Sequence, residues 1–219
     1  MTSPAADDAY LRLRDLIYSG HLMPNERLVE ADLAQRLEVS RAIVRTALVR
    51  LGQDGVVILT PHRGARVRVV TDAEAVEILQ ARAVLEALTA SEAAKRATAK
   101  EIAGIRRILA GMSRRLDEGD LLGYSEGNAA LHAAIIQAAR HETAARLITG
   151  LRAQLVRFQF RTILVPGRAP HSLAEHTAIV SAIAARDPAA AEKAMREHLG
   201  HVSDALSHTN RRFPGETHG

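Results

Sequence analysis

The sequence predicts a mainly α-helical chain in two parts. Residues 1–70 read as three short helices followed by a β-hairpin. Residues 71–210 read as an all-helical bundle, with 211–219 as a tail. Three observations carry this. Apolar residues recur at helical spacing over most of the chain. The one β-branched run followed by an alternating segment falls at 56–70, and no convincing strand pattern follows Val70.

Each element has a local reason. In 7–19, Tyr10, Leu13, Leu16 and Ile17 share a helical stripe that Gly20 ends. Residues 21–28 read as a loop, with Pro24 and Asn25 as turn residues. A short helix follows over 30–37. Ser40 is a good N-cap for the next, 41–53, whose apolar face is Val44, Ala47, Leu48 and Leu51. Residues 56–60 (VVILT) form a β-branched run, 61–64 (PHRG) a turn, and 65–70 (ARVRVV) an alternating, half-buried strand. Beyond them, helices are expected over 72–98, 101–118, 120–139, 141–162, 170–186 and 188–208, broken at Gly119, near His141, at VPGRAP and at Asp187-Pro188.

Composition narrows the function classes. None of the 219 residues is a cysteine, which excludes a disulfide framework and a thiolate metal site. Asp7, Asp8 and Asp15 interrupt the first twenty residues, which therefore do not read as a signal peptide. No apolar run approaches the roughly 20 residues needed to span a bilayer, so a cytoplasmic protein without membrane contact is expected. Aromatics are only 3%, leaving Leu, Ile, Val and Ala to build the core. The formal net charge is +4, and only Lys95, Lys100 and Lys193 are lysine. The basic excess is local. Between Arg36 and Arg68, seven arginines face only Glu38 and Asp54, the footprint expected of a surface for double-stranded DNA.

Two short helices, the second opened by Val39-Ser40-Arg41, then a basic hairpin, make a winged helix-turn-helix pattern. The N-terminal residues of a recognition helix meet base edges, which here puts Ser40, Arg41 and Arg45 forward. Arg41 and Arg45 are four apart and leave the helix on one side, away from the apolar stripe. His62, Arg63 and Gly64 form the hairpin tip, where glycine permits close backbone approach to a phosphate. From charge alone, Arg41, Arg45 and Arg50 read equally well as a solvated helix face.

Four motifs break that tie. I-x-x-G-x-L-x-P-x-E-R-L, E-x-x-L-A-x-x-L-x-V-S-R, V-R-x-A-L-x-x-L-x-x-x-G-V and R-G-A-x-V run in order within residues 11–67. Together they resemble the DNA-binding domain of the GntR superfamily. The resemblance implies that Arg41 and Arg45 read bases or phosphates, that Gly64 caps the wing tip, and that Ser40 and Arg50 serve phosphates. Glu38 stands where a turn glycine is usual, Ala42 for Thr, Ile43 for Pro and Thr46 for Glu. These departures bear on which operator is read.

The second part carries most of the ten histidines. Asn128 and His132 are four apart on one helix face. His176 precedes Ile179 and Val180 on an apolar face, and His198 sits among Ala194, Met195 and Leu199. Taken singly, each reads better as a hydrogen-bonded residue, since a buried ring must find a partner. His141, His171, His201 and His208 match nothing beyond this.

Four segments here resemble the FCD effector domain of the FadR-type branch of the same superfamily: 82–94 (RAVLEALTASEAA), 128–135 (NAALHAAI), 175–183 (EHTAIVSAI) and 195–199 (MREHL). Family members that hold a metal use an Asp or Asn, a His four residues on, and two later His. The resemblance therefore implies Asn128, His132, His176 and His198 as ligands of a divalent ion. Three imidazoles and an oxygen suit zinc or nickel. It further implies that Arg82 clamps the carboxylate of a small organic acid, as a guanidinium fork can. The resulting expectation is a homodimeric repressor on an inverted-repeat operator, released by an acid bound near the metal. A metal-sensing repressor and a metal-dependent hydrolase or lyase are the competing readings.

Overall fold

The computed structural model describes residues 3–18, 20–61, 63–155, 158 and 162–212. They form two compact units, Met1–Thr71 with Gly150–Arg157, and Asp72–Thr149 with Phe158–Gly219.

The first unit is three helices and a small sheet. Helix α1 (Pro4–Tyr18) buries Leu13 and Ile17, α2 (Glu30–Leu37) buries Leu33 and Leu37, and α3 (Arg41–Gln53) buries Val44, Ala47, Leu48 and Leu51. The expected apolar stripes are thus the buried ones. Ser40 caps α3, its Oγ accepting from the Ile43 N–H. Strands β2 (Val57–Thr60) and β3 (Gly64–Val67) pair antiparallel, with Val57 opposite Val67 and Thr60 opposite Gly64. The sheet has one strand more than the sequence suggests. β1 (Arg27–Leu28) lies in the expected loop and pairs with the outer edge of β3. Two residues carry no periodic pattern, so only the pairing with β3 makes this a strand.

The second unit is all helical, with α4 (Asp72–Arg96), α5 (Ala99–Asp117), α6 (Leu121–Ala139), α7 (Glu142–Gln154, whose last residues belong to the first unit), α8 (Arg168–Ala184) and α9 (Pro188–Arg212). The core is Ala-rich where α4 meets α9. Ala90, Ala93 and Ala94 share a cluster with Met195 and Leu199. Small side chains let two helices approach closely and leave the larger partner to fill the gap. Thr98 opens α5 with a full capping box, its side chain bonded to the Glu101 N–H while Glu101 reaches back to the Thr98 N–H. The expected helix over 141–162 ends at Gln154. Its residues 156, 157 and 159–161 lie outside the described ones.

Candidate functional site

The exposed start of α3 is the first candidate surface. Arg41 is exposed at its first turn. Arg45 is held in a fork by Glu30 of α2, with Nε donating to Oε1 at 2.8 Å and Nη2 to Oε2 at 2.6 Å. That side-chain bond, with a lesser charge effect from Arg41, keeps the Glu30 carboxyl below its usual value. The pair is open to water, so salt screens it and a phosphate competes with it. Arg45 and Glu30 also line an open groove with Arg27, Thr60 and Gly64 of the sheet. Gly64 adopts φ +86°, a backbone that suits glycine, and Arg63 beside it is exposed. His62, expected at the same tip, lies outside the described residues.

Ser40 and Arg50 are placed differently from that group. The Ser40 hydroxyl serves as the helix cap. Arg50 stands nine residues after Arg41, about two and a half turns, and so leaves α3 on the other side. There Nη1 donates to Asp7 of α1, and the guanidinium lies 4.2 Å from the centre of the Tyr10 ring. Tyr10 in turn donates its hydroxyl proton to Asp54 at 2.6 Å. Arg50 thus ties α3 to α1.

The second candidate lies inside the helical unit. His132 of α6, His176 of α8 and His198 of α9 converge, each 2% exposed or less. One ring nitrogen from each falls within 4.8 Å of the others. His132 Nε2 and His176 Nε2 are 3.3 Å apart. Two nitrogens each about 2.0–2.1 Å from a tetrahedral zinc would stand about that far apart.

Two carboxylates set the ring protons. His132 Nδ1 lies 2.5 Å from Glu86 Oε2, and His198 Nδ1 lies 2.7 Å from Glu175 Oε2. A carboxylate accepts, so both rings carry their proton on Nδ1 and turn a bare Nε2 inward. Carboxylate partners of this kind orient a metal-ligating histidine and raise its basicity. Burial would raise the Glu175 carboxyl, but hydrogen bonds from His198 and Arg168 outweigh it and hold it at about 2. Burial pushes His176 and His198 below the usual imidazole value, and for His176 the neighbouring His198 and His132 add to the effect. Neutral imidazoles are the form that binds a metal.

Asn128 Oδ1 and His176 Nδ1 are buried with no hydrogen-bond partner. An orphaned buried polar atom costs roughly 1–3 kcal/mol. A cation among these side chains would satisfy Asn128 Oδ1 and use the Nε2 lone pairs. The four residues therefore fit a divalent ion as a His3Asn set.

Arg82, also expected here, is tied to its own helix. Nε and Nη2 donate to Glu86 Oε1 at 2.8 and 2.7 Å. Glu86 is fully buried and thus shares one carboxylate between Arg82 and His132. The sequence pattern singles out none of Glu86, Glu175 and Arg168. Glu175 adjoins His176, and adjacent helix residues diverge by about 100°. The neighbouring α9 brings His198 and His201 to it, with His201 Nδ1 2.8 Å from Glu175 Oε1.

Comparisons with known proteins agree with both halves. The model of bacterial regulatory proteins of the gntR family matches residues 5–67, and the FCD domain model matches residues 77–201. The Uxu operon transcriptional regulator of Escherichia coli K12 is 30% identical over 89% of this chain and 83% of its own. The transcriptional repressor RspR of the same organism is 26% identical over 94% and 90%. Among solved structures, E. coli McbR/YncC superposes with TM-score 0.80 over 95% of this chain and 99% of its own, at 20% identity, a likeness of fold.

Proposed function

The chain belongs to the GntR family of bacterial regulatory proteins, with an FCD domain as its second part, and from that premise we propose that it is a homodimeric repressor released from its operator by a small organic acid bound beside a divalent metal. DNA-binding regulation is the family's activity, and the matched models and relatives are regulators, not enzymes.

The single observation that carries the acid-and-metal reading is the convergence of His132, His176 and His198 in one buried cluster, with the unpartnered Oδ1 of Asn128 one helical turn before His132. Zinc or nickel fits that donor set. The ion would supply Lewis acidity at coordination positions the four residues leave open, where a carboxylate oxygen fits. This chain's residues do the rest. Glu86 and Glu175 fix the rings, and the helices exclude bulk water. Arg82 brings a positive charge beside Glu86 at the edge of the same cluster.

On the DNA side, Arg41 and Arg45 would meet base edges or phosphates at the start of α3, with Ser40, Arg63, Gly64 and His62 as backbone contacts. Arg50 would act through its hold on α1. A two-fold dimer would present two such helices to an inverted repeat.

Arg41→Ala and Arg45→Ala should each weaken operator binding roughly 5–150-fold. A gel-shift titration on the fragment upstream of the protein's own gene measures this. Both mutants binding like the wild type would remove α3 from the reading role. A metal-sensing repressor remains a second reading, since the same ring would serve it. Release of DNA by chelation, with no acid present, would favour it.

A further inference from the structure

Arg168 is the first residue of α8 and follows Gly167, whose left-handed backbone (φ +78°) turns the chain into the helix. Its side chain is only 8% exposed. Nη2 donates to Glu175 Oε2 at 2.8 Å, the same oxygen that holds His198 Nδ1. Arg168 therefore stands one carboxylate oxygen away from the histidine cluster. Yet Nε and Nη1 are buried with no acceptor. Burying donors of a cation without acceptors is costly, and such groups are paired in folded proteins. The contrast with Arg82 is direct, because Glu86 already takes two nitrogens of that guanidinium.

The charges around the ring point the same way. Arg82 is matched by Glu86, and Arg168 by Glu175. Imidazoles and an amide that hold a metal are neutral ligands, so His132, His176, His198 and Asn128 would add no charge of their own. A divalent ion bound there would leave two positive charges uncompensated in a buried site. Such a charge is tolerated only when paired. A ligand that carries two negative charges restores neutrality, and Arg168 offers a place for one of its acidic groups that the metal does not occupy.

We propose that Arg168 is a second anion anchor in this site, and that the effector is a small diacid with one carboxylate at the metal and the other on Arg168 Nε and Nη1. This rests on the acid-and-metal reading above. The test uses the zinc-loaded full-length protein and calorimetric titration with malonate, succinate and glutarate, each against acetate and propionate. At least one diacid should bind ten-fold or more tightly than either monoacid. Arg168→Gln should erase that difference while zinc stoichiometry stays unchanged, and Arg168→Lys should restore part of it.

Monoacids that bind as tightly as every diacid would overturn the proposal. So would a preference that survives in Arg168→Gln. Loss of zinc together with the acid would also overturn it, because Arg168 would then act only by holding Glu175. Should Arg168→Gln fail to fold, Arg168→Lys decides: a diacid preference smaller than the wild type's, with zinc intact, upholds the anchor, and a preference equal to the wild type's or lost together with zinc overturns it. Failure of every acid to bind the zinc-loaded wild type sinks the earlier reading instead.

Discussion

In the proposed site Asn128 would be a neutral ligand where an aspartate would bring a charge. Its Oδ1 is buried with no hydrogen-bond partner. Asn128→Asp should tighten zinc binding, measured by competition with a chromogenic chelator, and weaken the preference for a diacid, since the protein then supplies one negative charge itself. Glu175→Gln tests the opposite side of the cluster. The His198 Nδ1 proton would lose its anionic acceptor, and zinc affinity should fall roughly 10–100-fold in the same assay. Unchanged affinity would show that Glu175 does not tune the ligand.

At this scale the meeting of His132, His176 and His198 was legible only through the family motif, since spacing joins just Asn128 and His132. The carboxylates behind the rings were not. Glu175 is oriented by α9 packing across it, and nothing local to residues 170–180 encodes that. Arg50 leaves α3 on the side opposite Arg41, as its nine-residue offset makes readable. Its pairing with Asp7 and Tyr10 needs α1.

Elements announce themselves when their pattern is long and local. The stripes of α1 and α3 and the hairpin of β2 and β3 were legible from periodicity and turn residues. β1 was not, because two residues become a strand only when β3 offers its edge. The turn between α2 and α3 tests this account. Glu38 ends α2 in the left-handed region (φ 56°), the position where the family more often has glycine. A side chain there is strained, so Glu38→Gly should raise stability by about 0.5–1 kcal/mol, read as a higher melting temperature. Arg140 ends α6 with a similar backbone (φ 51°), but its guanidinium bonds the Arg96 carbonyl and the Glu101 carboxylate. Arg140→Gly should therefore destabilise, although the backbone relief is the same. Equal signs for the two substitutions would mean that side-chain partners do not matter at these caps.

Over the whole molecule, the claim is that one unit reads DNA while the other holds an acid through a metal, and that the two are linked. Linkage of this kind is typically worth 1–3 kcal/mol, or about 5–150-fold in affinity. It also runs both ways, so operator DNA should weaken acid binding by the same factor. Neither the linkage nor the acid is written in residue patterns. The sequence carries sites, and a population shift between two arrangements belongs to the assembled protein. The deciding measurement is fluorescence anisotropy of the promoter fragment with the zinc-loaded protein, the chelator-stripped protein, and each again with the diacid that binds tightest. The account predicts that both forms hold the DNA without acid, and that acid weakens only the zinc-loaded complex, by 5-fold or more. Release on stripping alone, or equal release of both forms by acid, would contradict it.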